Sequence, residues 1–208
     1  LSIRRQRQMC IRDSSGVAEG DPHPERYYPE EPPQRGQRRI YLKKEAEVPY
    51  LLIAYHVPSF PDEDAAALEV LSAILTGKSG RLYTKIISEK KVASSVDASY
   101  SGLNRFPYLF FIDGVPLRGR DVKELEDAIY EVIEEIKNSP PSQREIQKAK
   151  NQIESAFIME MDSVYSMARI IGTFELLGGW RLKDRYLETI RAVKPEDVQR
   201  VARKYLTE

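Results

Sequence analysis

The sequence predicts an α+β domain, an antiparallel-rich mixed sheet covered by helices on one face, with its last strand expected beyond the residues given. Three observations predict it. Strand-like and helical segments come in groups (two strands, two helices, two strands, then four or five helices) instead of alternating one for one. The apolar period drops from near 3.6 to 2 at Val92, so a helix pair hands over to a strand. Lastly, the strand Val92–Tyr100 and the strand-like PYLFFIDGV are separated only by a turn marked by Gly102 and Asn104, the pattern of an antiparallel hairpin.

Taken in order, RRIYLKK alternates Ile40 and Leu42 with Tyr41 and Lys43, a strand with one wet face. YLLIAYHV, Tyr50 to Val57, is apolar almost throughout and reads as a central strand buried on both faces, closed by Pro58 and Pro61. Asp62, Glu63 and Asp64 then put negative charge at a helix start. Leu68, Leu71 and Leu75, beside Ala67, Val70 and Ile74, give that helix a broad apolar face, and Thr76 with Gly77 ends it. RLYTKIISEKK resumes helical spacing through Leu82 and Ile86. The strand after it sets Val92, Ser94, Val96, Ala98 and Tyr100 on one face and Ala93, Ser95, Asp97 and Ser99 on the other.

Beyond the hairpin, Asp121 with Glu124 has the spacing of a capping box before an apolar stripe of Val122, Leu125, Ile129, Val132, Ile133 and Ile136, which Pro140 and Pro141 stop. Ser142 with Glu145 repeats the signal and opens a long helical region to Leu177. Its stripe of Ile146, Ala149, Ile153 and Ala156 is continued by Glu160 and Ser163, so the face must shift or the helix break near Met161 to Ser163. Gly178 and Gly179 end it. Tyr186 to Val193 makes a short helix, and Pro195 starts another with Val198, Val201 and Tyr205.

Composition excludes more than it identifies. Among 208 residues, 32 basic side chains balance 32 acidic ones, so no net field favours nucleic acid or an anionic membrane. The single cysteine, Cys10, excludes an internal disulfide framework and a multi-cysteine zinc site. No apolar run nears the roughly 20 residues that span a bilayer. The compartment stays open, a periplasmic or other extracytoplasmic one included. Residues 1–14, LSIRRQRQMCIRDS, share no periodicity or turn chemistry with the rest of the chain; they resemble translated adaptor sequence from the ends of metagenomic assemblies, and a non-native leader on a fragment is expected. Residues 15–36 carry five prolines, Pro22, Pro24, Pro29, Pro32 and Pro33, and read as an interdomain linker. Residues 37–208 form the domain.

No active site emerges from the residues. A zinc peptidase needs paired imidazoles at helical spacing with a carboxylate nearby. Here there are only His23, in the linker, and His56, at a strand end. Glu134 with Glu135 and Glu160 with Asp162 fit a solvated helix face better than an acid–base pair. Ser94, Ser95 and Ser99 have no histidine base and no nucleophile elbow. KSGRLYTK offers a glycine and a lysine near a helix start but not the order of a phosphate loop.

EPPQRGQRRIYL, IAYHVP, ALEVLSAILTGKSGRLYTKIISEKKVASSV and TFELLGGWRLKDRYLETIRAVKPEDVQRVARKYL, in this order, together resemble the second, non-catalytic domain of insulinase-like zinc peptidases of the M16 family. The resemblance covers about Glu31 to Glu208. It implies paired, similar α+β domains closing around a peptide, one of them holding zinc through an inverted His-x-x-Glu-His motif and a further glutamate. It also implies, for many second domains, an arginine and a tyrosine that orient the substrate. The matching positions here are Ile87 and Ser94, which lack guanidinium charge and phenolic hydroxyl. The expectation is therefore no catalytic, substrate-orienting or metal-binding residue and no cofactor in this chain. Zinc is expected in an upstream M16 domain; a second M16 subunit and a peptide substrate are the further implied partners. The alternatives are an inactive structural or assembly subunit of the same fold, or a free-standing peptide-binding module.

Overall fold

The computed structural model describes residues 3–16, 34–45 and 48–207. The chain divides into two units, Leu1–Ile40 and Tyr41–Glu208. In the first, helix α1 spans Ile3–Ser14. Most of the proline-rich stretch, His23 included, lies outside the described residues.

In the second unit, strands β1 (Leu51–Val57), β2 (Ala93–Tyr100) and β3 (Tyr108–Pro116) form one sheet in the order β1-β3-β2. Both pairings are antiparallel, and β2 and β3 make the expected hairpin. One face of β1, through Tyr55 and Val57, is buried under helices, while Leu52, Ala54 and His56 on the other face are exposed. That corrects the reading of Tyr50 to Val57 as a central strand. An apolar run reports that both faces are greasy; only one of them is packed by this chain, and β3 holds the centre.

The strand expected over RRIYLKK does not form. Residues 38–44 carry no ladder, and Ile40 is 80 % exposed. Alternation specifies a face but not a neighbour to share backbone hydrogen bonds, and no described strand pairs with this segment.

Helix α2 (Ala65–Leu75) lies at the centre, packed on β2 and on three helices. These are α4 (Gln143–Glu160), α6 (Leu182–Ala192) and α7 (Pro195–Tyr205). Leu68, Leu71 and Leu75 are fully buried, each contributing about 1.5–3 kcal/mol through removal from water. Gly77 supplies the left-handed residue after α2, at φ 76°. Gly80 is needed for space: a Cβ there would sit 2.1 Å from the Thr76 carbonyl oxygen.

The second helix of the pair differs from expectation in kind. Tyr83–Glu89 is a π-helix that keeps Leu82 and Ile86 fully buried. Its widened turn shows in the Lys90 N–H donating to the Lys85 carbonyl. Lys91 then adopts φ 54°, and the ladder slips between Ala93 and Ser95. Ser94 is the extra residue of this bulge and is exposed instead of sharing a face with Val96.

Helix α3 (Val122–Asn138) buries the predicted Leu125, Ile129, Val132, Ile133 and Ile136. Its cap is simpler than the spacing suggests. Asp121 accepts from the Lys123 N–H, but the Glu124 carboxylate turns outward to Arg120, so the box is not reciprocal. Ser142 and Glu145 do form one at the start of α4. The break falls at Met161–Ser163, where Ser163 caps helix α5 (Val164–Leu177). Helix α6 begins four residues earlier than its apolar spacing indicates. Lys194 and Asp197 close the start of α7, whose Gln199 and Arg203 donate to the Lys137 carbonyl at the end of α3 (3.0 and 2.6 Å).

Candidate functional site

Three backbone irregularities fall within one short stretch: the π-helix, the left-handed Lys91 and the bulge at Ser94. Such features cost energy and collect at functional positions. The side chains there are chemically quiet. Ile87 is half-buried and packs against the core, and the Ser94 hydroxyl donates to the Val115 carbonyl at 3.2 Å. Lys85 pairs with Glu135 (3.3 Å) and Lys90 with Glu131. This stretch can shape a surface; an apolar chain and a tied alcohol cannot move a proton.

The other sequence candidates stay apart. His56 is exposed on β1, opposite Leu109. Cys10 is exposed on α1. Glu134 pairs with Lys137 at 2.7 Å and Glu160 with Arg169, so both act as solvated ion pairs. Ser95 and Ser99 lie on exposed positions of β2. In KSGRLYTK, Arg81 grips Glu145 with two bonds of 2.7 and 3.1 Å, and Lys148 donates to the Ser79 carbonyl at 2.8 Å. Arg81 and Lys148 are thus committed within the chain, while Lys78 at the head of the turn is exposed. Chiefly through Arg81, with Ser142 behind it, the Glu145 carboxyl is held at about 2.

Two carboxylate clusters escape sequence reading because their partners lie far along the chain. Asp64, fully buried before α2, accepts from Arg200 (2.5 Å), Lys204 (2.7 Å) and Tyr205 (2.7 Å) on α7. Burial pushes its carboxyl up, but the three donors outweigh that and hold it at about 2. Glu69 accepts from the Tyr186 hydroxyl. Burial raises both groups, and the neighbouring Glu69 charge raises the Tyr186 phenol further. The spacing of Arg200, Lys204 and Tyr205 on one side of α7 is visible in the sequence; nothing in periodicity points to Asp64. Both clusters join helices inside the domain.

A zinc centre does not fit these residues. Among the described residues no three His, Cys, Asp or Glu side chains gather as metal ligands.

Residues 9–153 match the family model described as the peptidase M16 inactive domain. The chain belongs to the peptidase M16 inactive domain family. Among curated proteins it is 26 % identical over 181 residues to the zinc protease PqqE of Helicobacter pylori, covering 86 % of this chain and 40 % of that protein. It is equally 26 % identical over 180 residues to the uncharacterised zinc protease YmxG of Bacillus subtilis, covering 86 % and 44 %. The chain thus spans less than half the length of these relatives. The fold is shared with a protease from Helicobacter pylori at a TM-score of 0.85 and 22 % identity, covering all of this chain and 50 % of that one. It is shared too with an inactive peptidase domain from Bordetella parapertussis at 0.72 and 24 % identity, covering 81 % and 92 %. The M16 resemblance read from the residues is confirmed, and the α+β class with it. This M16 chain is an inactive domain of zinc-protease-like proteins.

Proposed function

We propose that this M16 domain is the non-catalytic half of a zinc metalloendopeptidase, walling a peptide-enclosing chamber whose zinc sits in an upstream domain of the same polypeptide. The observation that carries this is the family match, beside which the described residues gather no group of three metal-ligating side chains. The length of the relatives supports it, since over half of each lies outside the matched region. Ile87 and Ser94 stand where related domains carry a substrate-orienting arginine and tyrosine. A chain lacking both suits the zinc-bearing subunit of a pair whose partner subunit supplies them.

In this role the domain contributes surface and not reacting groups. The half-open sheet face carries Leu109, Phe111 and Val115, with Asp113 among them and Asp97 opposite it, and β1 and β2 are the edges of the described sheet, suited to pairing with extended peptide.

The test is to purify the chain and measure metal content and hydrolysis of unstructured peptides with and without a chelator. We expect no stoichiometric zinc, no hydrolysis and no change of melting temperature on chelation. Bound zinc with chelator-sensitive cleavage would overturn the proposal. An upstream coding sequence without His-x-x-Glu-His would replace it with a purely structural subunit.

A further inference from the structure

The open face of the sheet holds a charge arrangement that the chain itself leaves unanswered. On the central strand β3 every second residue points away from the helices, and Leu109, Phe111, Asp113 and Val115 are half-buried there. Asp113 stands directly opposite Asp97 on β2, so two carboxylates share one rung of the ladder. Like charges at such positions have Cβ atoms about 4.5–5.5 Å apart and destabilise a sheet. Elsewhere the chain meets its carboxylates with cations: Asp64 has Arg200 and Lys204, Glu145 has Arg81, and Glu154 has Arg191. The partners of this pair are hydroxyls, Tyr50 donating to Asp113 and Thr76 to Asp97. Among the described residues neither Asp97 nor Asp113 forms an ion pair.

Two carboxylates are too few to hold a metal ion, and among the described residues no third ligating side chain joins them. The surroundings select instead for a cation carried on an apolar chain. Leu52 of β1 lies on the other side of Asp113, and the neighbouring rungs set Phe111 beside Ser99 and Val115 beside Ser95. Both serines are small and exposed on an edge strand, so the apolar surface of Phe111 and Val115 stays reachable from the β2 side. An extended peptide running along β2 turns every second side chain to this face, at the two-residue pitch of the sheet itself, about 6.6–6.8 Å. A lysine or arginine at the Asp97–Asp113 rung then brings the residues two places before and after it to Ser95 and Ser99, over Val115 and Phe111.

We propose that the open sheet face binds extended peptide segments in which a lysine or arginine is flanked at two-residue spacing by apolar side chains, Asp97 and Asp113 taking the cation; this rests on the chamber-wall reading above and names the substrate class of that wall. Each exposed ion pair contributes up to about fivefold in affinity, so the two together favour a basic residue over a neutral one by about tenfold. A glutamate at the same place adds a third like charge, and the ratio against it is larger.

Fluorescence anisotropy of the 208-residue chain tests this with a labelled peptide carrying a central lysine and a leucine two places to either side, beside the same peptide with glutamine or glutamate at the centre. We expect lysine to be favoured over glutamine by about tenfold at low salt, the ratio shrinking as ionic strength nears about 1 M. Asp97→Asn and Asp113→Asn keep an acceptor for Thr76 and Tyr50 and relieve a repulsion, so each should leave the thermal transition in place. Each should cut the lysine preference about threefold, and the two together should remove it. Equal affinity for the three peptides, a preference for glutamate, no binding up to about 1 mM, or a lysine preference that survives both substitutions would overturn the proposal. Should a variant fail to fold, the three peptides on the wild-type chain decide. Zinc-dependent hydrolysis by this chain would defeat the chamber-wall reading without altering the lysine preference, whereas a missing preference defeats this proposal and leaves that reading standing.

Discussion

Replacing Asp64 by asparagine tests the charge cluster built on a fully buried carboxylate. The carboxyl is held at about 2 against an ordinary 3.8, just under two pK steps of 1.36 kcal/mol, so ionised Asp64 stabilises the fold by about 2 kcal/mol at neutral pH. Arg200 and Lys204 are half-exposed and regain water when the charge is removed, which keeps the loss nearer 2 than the 3–5 kcal/mol typical of breaking a fully buried pair. Because the folded-state value is depressed, the contribution is complete above about pH 5 and disappears progressively as pH falls through about 2. Urea unfolding of wild type and Asp64→Asn at pH 7, 4 and 3 should show a gap of about 2 kcal/mol at pH 7 that narrows at the two lower values. Equal midpoints at pH 7, or a gap unchanged at pH 3, would refute the electrostatic account of this cluster.

Three further substitutions probe other parts of the fold. Lys91→Gly relieves an L-residue at φ 54° and, after the added freedom of the unfolded chain is subtracted, should stabilise by about 0.5–1 kcal/mol in urea; a loss would show that Lys91 is not strained. Glu145→Gln keeps a capping amide but removes the charge facing Arg81, and should cost about 1 kcal/mol at pH 7 in this partly exposed pair. Since the Glu145 carboxyl is also depressed, to about 2, that cost should shrink as pH falls below about 4.5, and a pH-independent cost would contradict it. Phe174→Ala empties a fully buried site whose ring lies 5.8 Å from Phe60 and 5.9 Å from Tyr186; calorimetry should show a loss of about 3–5 kcal/mol, and a loss under 1 would mean that α5 is loosely seated.

Helix positions were readable because burial repeats along them. Leu68, Leu71 and Leu75, and the stripe on α3, announce their faces by spacing alone. Strand edges were not. Leu52 and Ala54 are apolar and exposed, whereas Tyr55 and Val57 beyond them are buried, and a run of similar residues conceals that difference. The π-helix was hidden too, since Leu82 and Ile86 keep ordinary helical spacing while the turn around them widens to the Lys90 N–H. At the candidate site, the irregular backbone around Lys91 and Ser94 has no composition signature, as lysine and serine there mark neither a turn nor a bulge. The Asp64 cluster was illegible for a different reason. Its members are 136 to 141 positions apart, and local patterns carry no information about pairs so distant.

That separation also sets a schedule for a ribosome making this protein. At about 5–20 residues per second, the roughly 140 residues between Asp64 and Lys204 take about 7–28 s to synthesise. Throughout that interval the Asp64 carboxylate lacks its α7 donors and stays in water. This cluster therefore closes late, when α7 emerges from the exit tunnel.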